Sequence, residues 1–135
     1  MPLYLADTSA WHWSAHVPVR WADLLGKDEL ATAAPVELEL LYSARGKRDY
    51  ADLSFQLGPL PHLELDGRAS RAALNAQTAL VARGEHRLPA VDFLVAALAE
   101  VNGAVLLHYE RHFDPIRRVT GQPMEWLARR ASLEG

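Results

Sequence analysis

The chain is predicted to be an α/β domain with a mainly parallel central sheet and helices on both faces. Three observations predict it. Short apolar strand-like runs alternate with helix-like segments along the whole length, the order that builds parallel sheets. No internal repeat, low-complexity tract or linker interrupts that alternation. The 135 residues, 50% hydrophobic and 23% charged, are enough for one compact core and too few for two, so a single domain over 1–135 is expected.

Leu3–Ala6 reads as a buried strand, and a helix-like stretch follows around Trp11–Leu25, with Pro18 placed to interrupt or restart it. Leu30–Ala33 reads as a second short strand. Pro35 then occupies a first helical turn, where its missing N–H is not needed, and Val36–Arg45 runs to Gly46 with an arginine in its last turn. Lys47–Leu57 is expected to be helical, Leu63–Leu65 a strand, and the alanine-rich Arg68–Arg83 a long helix closed by Gly84. Pro89–Val101 carries the clearest helical signal and stops at Asn102-Gly103. Val105–His108 is an apolar strand running into a loop from Glu110 to Pro115, followed by a short helix and a last strand near Trp126.

Composition narrows the chemistry. The absence of cysteine removes disulfides, thiolate zinc sites and thiol nucleophiles together, leaving oxygen and imidazole groups. A formal charge of −3 argues against nonspecific coating of nucleic acid through a basic surface. It is compatible with a nuclease, because bound divalent ions invert the field that a polyanion meets at an acidic site. Arg68, Arg71, Arg83 and Arg87 are then candidates for phosphate contacts, with solvated helix surface as the plainer reading. Residues 1–10 lack a basic leader and a small-residue cleavage pattern, and no apolar run approaches the ~20 residues that span a bilayer. A cytoplasmic protein with no membrane association is expected.

Four acids fall where strand or helix boundaries deliver them to one sheet edge: Asp7, Glu39, Asp92 and Glu110. Ligands of open α/β sheets bind beyond the carboxyl ends of the strands, and clustered carboxylates are costly without a cation among them. With cysteine absent, Mg²⁺ is the expected ion and Mn²⁺ the alternative. Asp7 follows the first strand, with Thr8 and Ser9 beside it as orienting groups, but an aspartate there also suits a helix N-cap. Asp92 lies in the first turn of its helix, sharing a small apolar face with Val95, Ala96 and Ala99. Glu37 and Glu39 are two apart on one helix and point about 200° apart, so only one faces the site. Helical projection alone puts Glu37 in the apolar arc and Glu39 beside Ser43 in the polar gap, and leaves that choice open. Glu110 closes the strand Val105–His108, with Asp114 just beyond. His108 and His112 are four apart but flank a strand end and a loop, so convergence on zinc is disfavoured; His108 is expected to hydrogen-bond at the strand end and His112 to be solvated. Trp11, Trp13 and Trp21 suit a core or an interface, and with Trp126 a partner groove.

The segments LADTSAW, PVELELLYSARG, PAVDFLVAALAE and LLHYERHFDPIRRVTGQP, in that order, resemble a PIN-domain ribonuclease of the VapC toxin type, and the resemblance spans nearly the whole chain. It implies a PIN-like three-layer sandwich and a quartet of acids holding Mg²⁺ or Mn²⁺. Carried over position by position, it assigns the quartet to Asp7, Glu39, Asp92 and Glu110, with glutamate at 110 where the family most often has aspartate and His112 where such proteins often carry another acid. It further implies a metal-dependent endoribonuclease acting on RNA, a cognate VapB-type antitoxin and a homodimer. Two alternatives stand beside that reading. One is a degenerate PIN domain that binds RNA or a partner without turnover. The other is a metal-binding switch domain, against which the lack of any lysine after Lys47 argues.

Overall fold

The computed structural model describes residues 2–134, which form five strands and seven α-helices. In chain order these are β1 (Tyr4–Ala6), α1 (Thr8–Trp13), α2 (Pro18–Gly26), β2 (Leu30–Ala33), α3 (Ala34–Tyr42), α4 (Lys47–Leu57), β3 (His62–Leu63), α5 (Gly67–Val81), α6 (Ala90–Val101), β4 (Val105–His108), α7 (Phe113–Thr120) and β5 (Met124–Trp126). The sheet order is β3-β2-β1-β4-β5, and every pairing is parallel. The predicted α/β architecture is therefore observed, with an entirely parallel sheet.

Period-two alternation in the central strands builds the three layers. Leu5 and Leu106 join a larger core with the inner faces of α3 to α7, whereas their neighbours Ala6 and Leu107 join a smaller one with Ala10 of α1 and Leu24 of α2. In α5 the buried positions are Ala69, Ala73, Ala76 and Leu80, one face at helical spacing, and three alanines on it let α5 lie close against α6. Helix α6 is buried continuously from Val95 to Ala99, as a helix held between a sheet and a neighbouring helix must be. It ends where Gly103 takes φ +65° and the Ala104 N–H bonds back to Ala99 O at 2.9 Å, a left-handed turn that a side chain would strain.

Three boundaries differ from the sequence expectation. The helix-like stretch around Trp11–Leu25 is two helices and starts earlier: Asp7 caps α1 at Thr8, a 3₁₀ turn at Ser14–His16 breaks the axis, and Pro18 restarts the chain as the first residue of α2, the second of the roles expected of it. Helix α3 stops at Tyr42, three residues before Arg45: the Ser43 hydroxyl donates to Leu40 O at 2.7 Å and diverts the backbone. The third strand is His62–Leu63 and not Leu63–Leu65, set by pairing of Thr32 with His62 and Ala33 with Leu63. Among the described residues no helix is long and apolar enough to cross a membrane.

Candidate functional site

Strand order fixes where a site belongs. From β1 the chain builds outward through β2 and β3 on one side, then returns to build β4 and β5 on the other, so the crevice at the carboxyl ends of β1 and β4 is the topological switch point. Asp7 follows β1 directly, and Glu110 follows β4 by two residues. Backbone and side-chain hydrogen bonds lock the two strand ends together: Asp7 N donates to Leu107 O at 2.9 Å, and Tyr109 N to the Ser9 hydroxyl at 2.9 Å.

Asp7 is the N-cap of α1, with its second oxygen left over. Its Oδ2 caps α1, accepting from Ser9 N at 3.0 Å and from Ser9 Oγ at 2.7 Å. Its Oδ1 is buried and has no hydrogen-bond partner among the described residues. The residue is only 4% exposed, and burial raises its pKa, opposed by the Ser9 hydrogen bonds and reinforced by the nearby charge of Glu39. Asp92, 9% exposed, stands on the α6 face whose Val95, Ala96 and Ala99 are fully packed, as the sequence suggested. Burial pushes its pKa up to about 7; the charges of Asp7 and Glu39 add to the effect, and His112 opposes it. Asp92 Oδ2 likewise lacks a hydrogen-bond partner among the described residues.

Glu37 and Glu39 separate as their helical phase requires. Glu37 reaches the sheet edge, where its carboxylate meets His62 Nε2 at 3.2 Å. Glu39 instead accepts from the Thr8 hydroxyl at 2.8 Å, and its charge is felt by both Asp7 and Asp92. The structure thus groups Glu39, not Glu37, with the other acids, and gives Thr8 and Ser9 one carboxylate each to orient.

Glu110 is held differently. Its Oε1 accepts from the His112 N–H at 3.3 Å, and its own N–H donates to His108 Nδ1 at 3.2 Å. His108 is the strand-end hydrogen-bonding residue expected: buried between Phe113 and Trp126, with burial pushing its pKa down to about 4. The expectation of a solvated His112 holds in part: its side chain is 38% exposed, but its Nδ1 also lies 3.3 Å from Asp92 Oδ2 and 3.6 Å from Glu110 Oε1, between two of the four acids. The two imidazoles therefore face different surroundings and share no site.

Among the described residues, no three acid or histidine side chains converge closely enough to hold an ion as they stand. The donor set nonetheless suits a hard divalent cation. Two buried carboxylate oxygens without hydrogen-bond partners, on acids whose pKa values are raised by burial and by the charges of neighbouring acids, are groups that a cation would satisfy.

Two cavities flank the acids. A polar one of about 450 Å³ is lined by Glu110, Arg111, His112, Trp126 and Arg130. An apolar one of about 570 Å³ lies by Thr8 and Glu39, walled by Leu38, Tyr42, Leu65, Val91 and Leu94. Of its wall, Leu38 is 69% and Tyr42 92% exposed, unusual for large apolar groups on a helix. Arg111 and Arg130 line the cavity beside Glu110, and Arg130 is paired with Asp114 at 3.1 Å. Of the four arginines expected for phosphate contact, Arg68 pairs with Asp66 at 3.3 Å and Arg83 with Glu85 at 3.0 Å. Arg111, in a loop where no periodicity marks it, was not among them. The tryptophans also divide: Trp11 and Trp21 stack edge-on at 4.9 Å and line a separate cavity with Leu40 and Leu57, whereas Trp126 carries Arg130 over its ring at 5.5 Å.

Comparison with known proteins agrees with this geometry. The model of the PIN domain family matches residues 4–119. Ribonuclease VapC18 of Mycobacterium tuberculosis is 35% identical over 136 residues, covering 97% of this chain and 99% of its own. Ribonuclease VapC51 of the same organism is 36% identical, covering 92% of each. Among solved structures, the DNA-bound VapBC complex of Salmonella typhimurium contains a chain that superposes with TM-score 0.76 at 18% identity, covering 95% of this chain and all of that one, and a VapBC2 chain of Rickettsia felis matches with the same TM-score over 92% and 98%. With a family model over most of its length and ribonuclease relatives above 30% identity end to end, the chain belongs to the PIN-domain family, among the VapC ribonucleases.

Proposed function

We propose that the chain is a divalent-metal-dependent endoribonuclease that hydrolyses RNA phosphodiester bonds as the toxin of a VapBC-type pair. The observation that carries this reading is the pair of buried, unpartnered carboxylate oxygens, Asp7 Oδ1 and Asp92 Oδ2, at the switch-point crevice of a chain related to VapC ribonucleases. Mg²⁺ or Mn²⁺ is the ion proposed, held by Asp7, Asp92 and Glu110 with Glu39 beside them. When bound, such an ion polarises a phosphoryl oxygen and makes a coordinated water acidic.

The chain's own residues do the rest. Ser9 fixes the Asp7 carboxylate so that Oδ1 points away from the cap, and Thr8 holds Glu39 in reach of the same space. Glu39, one side of it open to solvent, is placed to take the proton of an attacking water. Arg111 in the polar cavity supplies a cationic group for the flanking phosphates, and Trp126 a ring for a base to approach. The apolar groove along Leu38, Tyr42 and Leu94 is the proposed seat of an antitoxin segment, since it adjoins Glu39 and a peptide lying there would reach the acids. We further infer a single domain, a homodimer and a cytoplasmic location; the cavity lined by Trp11 and Trp21, of mixed polar and apolar character, is surface available to a second copy.

The test is cleavage of a labelled RNA panel with Mg²⁺ or Mn²⁺ and with chelator. Cleavage that needs the ion and is lost in Asp7→Asn and Asp92→Asn, with both variants folded, is the expected result. Wild-type rates in either variant would overturn the assignment. Binding of RNA without cleavage under every ion would favour the non-catalytic reading.

A further inference from the structure

We propose that His112 is a nitrogen donor of the metal site and that it biases the site toward Mn²⁺ over Mg²⁺. The inference rests on the metal-dependent reading above and goes beyond it, because the acid quartet alone is an all-oxygen site. Four observations support it. His112 Nδ1 lies 3.3 Å from Asp92 Oδ2 and 3.6 Å from Glu110 Oε1. Neighbouring ligands of one octahedral ion at the usual bond length stand roughly 3 Å apart, so these separations are already near those of groups sharing an ion. Asp92 Oδ2, the atom facing the imidazole, is buried, and the 3.3 Å approach of His112 Nδ1 is its one polar contact among the described residues. The ring is held at the start of α7, on the same short loop as Glu110, whose Oε1 accepts from the His112 N–H.

The chemistry of the donor sets the consequence. Mg²⁺ is hard, takes oxygen almost exclusively and gives up water reluctantly, whereas first-row ions accept imidazole with affinity rising from Mn²⁺ onward. A site with three carboxylates and one imidazole therefore discriminates against Mg²⁺ more than a site with four carboxylates. An aspartate at 112 would restore an all-oxygen set.

Pulsed EPR on the Mn²⁺-loaded full chain, with calorimetric titration of Mn²⁺ and Mg²⁺, tests this directly and needs no RNA. The wild type is expected to show nitrogen hyperfine coupling to Mn²⁺ that disappears in His112→Gln and His112→Asp, and the ratio of Mn²⁺ to Mg²⁺ affinity should fall roughly tenfold in His112→Asp. Mn²⁺ binding at this site, shown by its loss in Asp7→Asn, without nitrogen coupling would overturn the inference while leaving the ribonuclease reading intact. An unchanged affinity ratio in His112→Asp would do the same. Nitrogen coupling in a protein that never cleaves RNA would instead sink the ribonuclease reading and leave His112 a ligand. Wild type that binds neither ion would overturn both.

Discussion

Asp92→Asn is expected to become progressively more stable than the wild type as pH rises from about 5 to about 7 in the absence of metal. The folded chain keeps a proton on Asp92 up to about pH 7, whereas the unfolded chain releases it near the ordinary value of 3.8. Between those two values the native state binds more protons, so stability falls as pH rises and levels off above about 7. The part of that window from about pH 5 upward sets an upper bound of about 3 kcal/mol at ~1.4 kcal/mol per pH unit, and screening together with the linked charges of Asp7, Glu39 and His112 brings the expected change below it. His108 runs the other way: its pKa is pushed down to about 4, so the unfolded chain takes up a proton first and stability falls as pH drops below the ordinary 6.5. That contribution is the same in both proteins and cancels in their difference. The assay is urea unfolding of both proteins with chelator across this range, read as the difference in unfolding free energy. A difference that stays constant with pH would refute a buried, destabilised carboxylate at position 92. Added Mg²⁺ or Mn²⁺ should reverse the trend in the wild type alone, by about 2.7 kcal/mol at a hundredfold excess over Kd.

Thr8→Val keeps the shape of the side chain but releases Glu39, so the cleavage rate should fall roughly tenfold with the melting temperature little changed. Glu39→Gln should abolish cleavage while Glu37→Gln, which only loosens His62 at the sheet edge, leaves it near wild type; the reverse pattern in a side-by-side rate assay would reassign the helix glutamate. Arg111→Ala should raise KM for RNA several-fold with kcat nearly unchanged, since the residue lines the polar cavity without touching the acids, and an effect confined to kcat would contradict a phosphate-binding role. Ser9→Ala removes two hydrogen bonds that join β1 to β4 and should cost about 1–3 kcal/mol in denaturant unfolding.

The parallel sheet was legible because apolar triplets such as Tyr4–Ala6 and Leu106–His108 are bounded by acids, glycines or helix starts, and an uninterrupted apolar run suits a strand covered on both faces. Asp7, Asp92 and Glu110 were legible as strand-end or helix-start acids for the same reason. Choosing between Glu37 and Glu39 needed three dimensions: helical phase says they diverge, and only the positions of β3 and α1 decide which one meets His62 and which meets Thr8. His112, Arg111 and Arg130 lie in turns, where no period links a residue to a face, so their approach to the acids follows from the β4–α7 loop and the tail and not from any pattern along the chain. Pro18 marked the break in the first helical stretch, whereas the 3₁₀ turn at Ser14–His16 before it has no such signal, and Asp7 caps α1 with Oδ2 while Oδ1 has no hydrogen-bond partner among the described residues.

That unequal use of the two oxygens determines what an amide at position 7 must do. Oδ2 is required as an acceptor by two donors, the Ser9 amide and the Ser9 hydroxyl, the latter already committed to receiving Tyr109 N. An asparagine placed there can satisfy them only by turning its carbonyl to the cap, which forces its NH₂ into the position now held by Oδ1. The two hydrogens would then face the very space intended for a cation, so Asp7→Asn both deletes a charge and installs a donor against the ion, in one defined orientation enforced by the helix it caps. Alanine would empty the same space but uncap α1, confounding lost chemistry with a frayed helix, and so the isosteric amide is the more informative probe of this fold.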